Sequence, residues 1–178
     1  MSSASYKEYG APIVVLTVIC LVISFALAFT NQTVAPIIAE QERLAAEQGR
    51  QQVLPEADGF TQYEGELPDG VTEIYIADNG VGVVVTSTTN SYGGEMETMT
   101  GIDANGKITG WTLLTFSDTV GIGDQIQDES FYQTFIGKDS SLEGVSTIGG
   151  ATVSSSSLIR NIQAAFQGYE LVKGALAQ

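Results

Sequence analysis

Met96-Glu97-Thr98-Met99-Thr100-Gly101-Ile102-Asp103-Ala104-Asn105-Gly106-Lys107-Ile108-Thr109-Gly110-Trp111 is the passage from which the fold is read. Two strand-forming runs, Met96–Ile102 and Lys107–Phe116, flank Asp103-Ala104-Asn105-Gly106, whose Asn-Gly suits a tight hairpin turn. Upstream the same construction occurs again. Val71–Ala77 and Val81–Thr88 flank Asp78-Asn79-Gly80. Downstream, Asp124–Ile136 has Ile126, Phe131, Phe135 and Ile136 at partial helical spacing. Ser155–Leu176 carries Leu158, Ile159, Ile162, Ala165, Phe166 and Tyr169 as an apolar helical stripe. Antiparallel strands followed by helices predict an α+β domain, a twisted antiparallel sheet with helices on one side.

Upstream of the strands, Ile13 to Thr30 reads IVVLTVICLVISFALAFT and carries no charge. As a helix it would be about 27 Å long, close to the ~30 Å hydrocarbon core of a bilayer. The polar Thr17, Cys20, Ser24 and Thr30 can bond back to the helix backbone. Two readings stand. One is a retained single transmembrane helix. The other is a signal peptide cleaved near Ala26-Leu27-Ala28, against which the run is long and the preceding charge is only Lys7. Lys7 lies before the span and Arg43 and Arg50 after it, so the positive-inside rule does not orient it. Cys20 reads as a small apolar filler. Val34 to Arg50 has helical patterning and reads as a stalk, with Gly49 and Pro55 punctuating its end and Pro36 marking a first turn or a kink. Glu56 to Gly70 reads as a loop. The expected organisation is a tail over 1–12, a membrane helix over 13–30, a stalk over 31–55 and a domain over 56–178.

Composition limits the chemistry. The chain has 178 residues, 7 basic and 21 acidic, a formal charge of −14, no histidine and one cysteine. That charge argues against a nucleic-acid partner. Zero histidine removes catalytic triads and imidazole bases, and a single cysteine cannot hold a cluster or make an internal disulfide. Asp103-Ala104-Asn105-Gly106 lacks the spacing and closing glutamate of a calcium loop, so no metal site is expected. No catalytic residue is expected either.

Two passages bear on chemistry. Ser146-Thr147-Ile148-Gly149-Gly150-Ala151-Thr152-Val153-Ser154-Ser155 places two glycines, a small alanine, a threonine and a serine run at the start of the last helix. Free amides and the helix dipole at such a start suit a phosphate without any lysine. The same residues also suit an ordinary glycine turn with a serine N-cap. The second passage is Ser117-Asp118-Thr119-Val120-Gly121-Ile122-Gly123, where Gly-x-Gly lets a loop lie flat on a planar ligand or simply turn.

Together these stretches resemble the membrane-anchored FMN-binding domain family, to which the G subunit of Rnf electron-transport complexes and the C subunit of the sodium-pumping NADH:quinone oxidoreductase belong. Gly149-Gly150-Ala151-Thr152-Val153-Ser154 matches the latter part of the family's flavinylation pattern. Asp118-Thr119-Val120-Gly121-Ile122-Gly123 matches its Glu-Thr-Pro-Gly-Leu-Gly, and Ser91-Tyr92-Gly93-Gly94 its Gly-Tyr-Gly-Gly-like stretch. Ser146 stands where the pattern has aspartate, Gly149 where it has Ser or Thr, Asp118 for Glu and Val120 for Pro.

The resemblance implies FMN esterified through its phosphate to Thr152, with Gly149, Gly150, Ala151, Val153, Ser154 and Ser155 around the linkage. It implies Asp118, Thr119, Gly121, Ile122 and Gly123 along the isoalloxazine, with Thr119 and main-chain amides as partners. Trp111, Tyr92 and Phe116 are aromatic candidates for packing near the ring, or else core fillers. It further implies an electron-transfer subunit of an ion-translocating ferredoxin:NAD+ oxidoreductase, not catalytic alone. Its partners would be other membrane and peripheral subunits and a separate flavin transferase. Its place would be a prokaryotic cell membrane, single-pass, with the domain extracytoplasmic. An anchored binding module without cofactor and a stand-alone FMN reductase are the other readings.

Overall fold

The structure is a computed structural model and describes residues 10–176. Residues 1–9 of the expected tail, Lys7 among them, lie outside that range. By contact the chain forms two compact units, Met1–Ala45 and Ala46–Gln178.

Helix α1 (Ala11–Val53) is continuous where a membrane helix and a separate stalk were expected. It runs through position 36 without a break and past Gly49. In the first unit, Pro12–Gln32 is long and apolar enough to cross a bilayer, with mean hydropathy 2.8 and none of it buried. Thr17 Oγ1 donates to the Ile13 carbonyl at 2.8 Å and Thr30 Oγ1 to that of Ala26 at 2.9 Å. Neither hydroxyl is therefore left without an acceptor along an apolar surface. Arg43 and Glu40 pair at 2.8 Å on the exposed helix surface.

The second unit is built on an antiparallel meander in the order β1 (Phe60–Gln62), β2 (Val71–Ala77), β3 (Gly82–Ser91), β4 (Gly94–Asp103) and β5 (Ile108–Thr115). The expected loop over 56–70 thus holds a strand. β1 has only three residues, and its register pairs Phe60 with Ala77 and Gln62 with Tyr75. A segment this short shows no alternation of its own, so pairing with β2 creates it. The two asparagine–glycine turns hold, but only Gly80 (φ +72°) and Gly106 (φ +74°) take the left-handed region. The second turn is fastened by Asp103 Oδ1, which accepts from the backbone N–H of Asn105 and Lys107 at 2.8 Å each.

After β5 the expected helix over 124–136 is instead a 3₁₀ turn at Gly123–Gln127 and a single α-turn, α2 (Glu129–Tyr132). Ile126 and Phe131 enter the core from these two separate pieces, which explains the only partial helical spacing. The closing helix α3 (Thr152–Leu176) starts three residues before Ser155. Leu158, Ile162, Ala165, Phe166, Tyr169 and Val172 are buried along one stripe against Ile74, Val83, Val85, Met96 and Ile102. Gly168 allows close approach there, since a Cβ would lie 3.1 Å from Val85 Cγ1. Asn161 is buried at the same seam, its Nδ2 donating to the Met96 carbonyl at 3.0 Å and to Thr98 Oγ1 at 2.9 Å. Its own main-chain carbonyl accepts from Ser87 Oγ at 2.9 Å.

The other sheet face is covered by the end of α1 and the turn after it. Val53, Leu54 and Ala57 pack with Ala77, Val84 and Met99. Here the strands approach the helix backbone: a Cβ at Gly101 would stand 2.3 Å from the Val53 carbonyl oxygen. Thr109 Oγ1 donates to that same carbonyl at 2.5 Å, satisfying an acceptor at the helix end. The Arg50 guanidinium lies 4.0 Å from the Tyr75 ring centroid.

Candidate functional site

At one end of the sheet three segments meet around a cavity of about 420 Å³. Its lining is Tyr92 from the β3–β4 turn, then Asp118, Thr119, Ile122 and Gly123 from the loop after β5. Gly150, Ala151, Thr152, Val153 and Ser154 from the start of α3 complete it. Two passages separated by the whole 124–149 connection are thus brought to one place.

Asp118 is the knot. It is buried, and its Oδ2 accepts from Ser91 Oγ at 2.5 Å while Oδ1 accepts from the Gly93 N–H at 2.5 Å. Burial pushes its carboxyl up, but hydrogen bonds from Ser154, Ser91 and the Gly93 amide outweigh that and hold it below the ordinary aspartate value. One carboxylate therefore ties the β3–β4 turn, the 118–123 loop and the first turn of α3 together. Two glycines make room for it. A Cβ at Gly93 would lie 2.1 Å from the Ser117 carbonyl oxygen, and one at Gly123 would lie 2.5 Å from Asp118 Cβ. The first is an approach of main chain to main chain and the second of main chain to the Asp118 side chain, and a side chain on either glycine would block it.

The loop after β5 is a turn closed on itself. The Thr119 carbonyl accepts from the N–H of Ile122 at 3.1 Å and of Gly123 at 2.8 Å. Those two amides are occupied within the turn, so they are not among the main-chain partners free to meet a ligand. Gly121 takes φ +82° and serves the turn rather than the cavity lining.

The start of α3 is pinned from inside. Ser155 is fully buried and outside the cavity lining. Its Oγ accepts from the Ile148 N–H at 3.1 Å and donates to the Ala151 carbonyl at 2.8 Å. The serines therefore do not cap the helix as expected. They lie within its first turns, and Ser155 anchors the preceding loop instead. Gly150 takes φ +89°, the turn that swings the chain into the helix. Gly149 lies beside it with nothing close to its missing side chain, and it does not line the cavity. Thr152 is exposed at the first helical position, and its hydroxyl makes only a long contact of 3.4 Å to the Ile148 carbonyl. It is the accessible nucleophile-type oxygen beside amides that a helix start leaves unpaired.

Of the three aromatic candidates, only Tyr92 reaches the cavity. Trp111 is core. Its ring stands 5.2 Å from that of Tyr132 and 5.8 Å from that of Phe135, and its Nε1 is buried without a hydrogen-bond partner. Phe116 packs partly buried against the same core. Sequence alone assigns no role to Ser91 and Gly93, although the stretch containing them stands out. Their function depends on a carboxylate distant in the chain. Among the described residues, no group of three or more His, Cys, Asp or Glu side chains could hold a metal ion.

The cavity suits a flat, partly apolar ligand carrying a phosphate. Its volume lies within the range of about 300–1,000 Å³ found for small-molecule sites. Tyr92, Ile122 and Val153 offer apolar surface, and the α3 terminus offers donors and a dipole for an anion.

Comparison with known proteins follows the same outline. The profile of the FMN-binding domain family matches residues 91–167, from the β3–β4 turn into α3. The chain is 32% identical over 184 residues to the G subunit of the Na+-translocating ferredoxin:NAD+ oxidoreductase complex of Acetobacterium woodii, covering 88% of this chain and 89% of that relative. It is 21% identical over 165 residues to the G subunit of the proton-translocating ferredoxin:NAD+ oxidoreductase complex of Clostridium ljungdahlii, covering 85% and 86% respectively. It is 29% identical over 123 residues to the G subunit of the ion-translocating oxidoreductase complex of Stutzerimonas stutzeri, covering 63% and 53%.

Proposed function

This chain belongs to the family of G subunits of ion-translocating ferredoxin:NAD+ oxidoreductase (Rnf) complexes, and we propose that it holds its FMN covalently, through the phosphate, on Thr152. It is an electron-transfer subunit with an FMN-binding domain, working among the other subunits of such a complex. The observation that carries the covalent reading is the placement of Thr152. Its exposed hydroxyl stands at the first position of α3, on the wall of the cavity, with no strong hydrogen bond to keep it.

FMN supplies the one- and two-electron chemistry of the site. The residues of this chain bind, orient and shield. Thr152 Oγ1 would carry the phosphoester, its hydroxyl proton lost and the leaving group departing from the phosphorus of the flavin donor that the attaching enzyme supplies, and the linkage would prevent the carrier from diffusing away. The free amides at the start of α3 would donate to the phosphate oxygens, so that no cation would be needed. Tyr92, Ile122 and Val153 would offer the ring system apolar surface at the mouth of the cavity. Asp118 keeps the three walls in register and, already accepting three hydrogen bonds, stays charged. For that reason it is a poor base toward Thr152, and with no histidine in the chain the hydroxyl has no activator of its own. Attachment therefore falls to a separate flavin transferase. The Pro12–Gln32 segment anchors the chain in a prokaryotic cell membrane as a single pass, with the folded unit on the extracytoplasmic side.

Native chain produced beside its maturation machinery should show flavin fluorescence in a denaturing gel and an intact mass raised by one flavin nucleotide. Thr152→Ala should show neither, and Thr119→Ala should keep both. Fluorescence surviving in Thr152→Ala refutes the linkage. An intact mass beginning after residue 28 refutes the anchor.

A further inference from the structure

The folded unit carries few exposed large apolar side chains, and four of the six lie at or beside the cavity. Among the described residues from Ala46 onward they are Tyr92 (75% exposed), Leu114 (37%), Val120 (86%), Ile122 (49%), Val153 (51%) and Leu171 (47%). Tyr92, Ile122 and Val153 line the cavity, and Val120 sits on the loop between Thr119 and Ile122, which also line it. Val120 itself is not part of the lining, so a ligand filling the cavity leaves it uncovered.

Charge is distributed in the opposite sense. The exposed segments around the mouth, 91–94, 119–123 and 149–153, contain no Asp, Glu, Lys or Arg, in a chain whose formal charge is −14, and the one charged residue of the lining, Asp118, is buried. Acidic residues resume at once on their flanks, at Glu95 and Asp124, with one basic residue, Arg160, beside Asn90 at the end of β3. An apolar, uncharged centre set in a charged surround is the composition of a protein-binding surface, because charges at the centre of a contact would lose their hydration. The acidic surround is unsuited to a lipid layer with anionic headgroups. It is complementary to a protein rim of lysines and arginines.

We propose that the rim formed by Tyr92, Val120, Ile122 and Val153 is the docking surface for a redox-partner subunit, whose contact face is apolar at its centre and basic at its edge. The proposal rests on the cofactor reading above. Electron transfer weakens steeply with distance, so a partner's redox group must approach where the carrier's cavity opens. A small, apolar, charge-steered contact fits repeated making and breaking better than a large permanent one.

The test uses the intact complex purified from its source membrane with Val120→Glu in this chain, and Leu171→Glu as a control on exposed apolar surface elsewhere. In-gel flavin fluorescence is read first. Its absence in the parent would refute covalent FMN, and the docking surface would then be decided by cross-linking alone. In Val120→Glu, fluorescence should equal that of the parent, and stopped-flow reduction of the flavin by the complex should slow by about tenfold or more. Leu171→Glu should reduce at the parent rate. A photo-reactive amino acid at position 120 should cross-link to another subunit, on a peptide with apolar residues flanked by Lys or Arg. Reduction of Val120→Glu at the parent rate overturns the proposal. So does a cross-link only to lipid or to a second copy of this chain, or none at all.

Discussion

Replacing Asp118 by asparagine tests whether the site is held together by one charge. Asp118 accepts from Ser91 Oγ and the Gly93 N–H at 2.5 Å each, and from the Ser154 hydroxyl. Asparagine keeps its oxygen for Gly93, and the two serine hydroxyls can turn to share its amide. Each bond at best survives in neutral form, and a hydrogen bond to a charged group is worth about 1 kcal/mol more than a neutral one. Three bonds lose about 3 kcal/mol, and relief from burying the charge returns about 1, leaving about 2 kcal/mol of destabilisation. For a domain of this size that corresponds to a fall in Tm of about 8 °C.

The assay is thermal unfolding of the full chain in detergent. It is followed by the fluorescence of Trp111, the single tryptophan, which is buried in the folded unit. The pH dependence is a second readout. Because the folded value of Asp118 is lowered, its contribution is complete above the unfolded aspartate pKa of about 3.9 and is lost as pH falls below it. The asparagine variant should lack that share of the acid loss. A variant melting within about 1 °C of the parent, with the same acid slope, would refute the reasoning.

The other predictions concern a close main-chain approach and a buried hydrogen-bonded seam. Gly93→Ala puts a Cβ 2.1 Å from the Ser117 carbonyl oxygen. It should cost about 3 kcal/mol or more, read in the same melt, with loss of flavin attachment because the cavity wall moves. Asn161→Ala removes two buried hydrogen bonds, to the Met96 carbonyl and Thr98 Oγ1, from the α3–sheet seam. A loss of about 3 kcal/mol in urea unfolding is expected, and a variant as stable as the parent would show that seam to be carried by apolar contacts alone.

Much of the fold could be read locally. The strands over 71–77 and 81–88 and the pair around Asp103–Gly106 announce themselves by turn chemistry, and α3 by its buried stripe from Leu158 to Tyr169. β1 could not be read, since three residues gain strand character only from pairing with β2. The 124–136 segment reads as one helix because Ile126, Phe131 and Phe135 are all core residues. Burial repeats there at steps of five and four residues, close enough to a helical period to suggest one helix, although the backbone breaks into two short turns. Of the two roles open to Trp111, core filling prevailed over ring packing for a related reason. Aromaticity states a preference for contact, and the fold assigned that contact to Tyr132 and Phe135.

By itself the sequence determined the apolar N-terminal span, the acidic charge, the absence of imidazole and of any internal disulfide, and the Gly-Gly-Ala-Thr entry to the last helix. All are properties of contiguous residues, and contiguous residues report on their own backbone and hydration. Only the tertiary structure decided that Ser91, Gly93, Asp118, Gly123 and Ser154 form one knot, that Ser155 belongs to the interior, and that exposed apolar side chains gather at one mouth. These depend on distances between segments far apart in the chain. Such distances are set when the sheet and α3 bury a shared core, which no single stretch encodes.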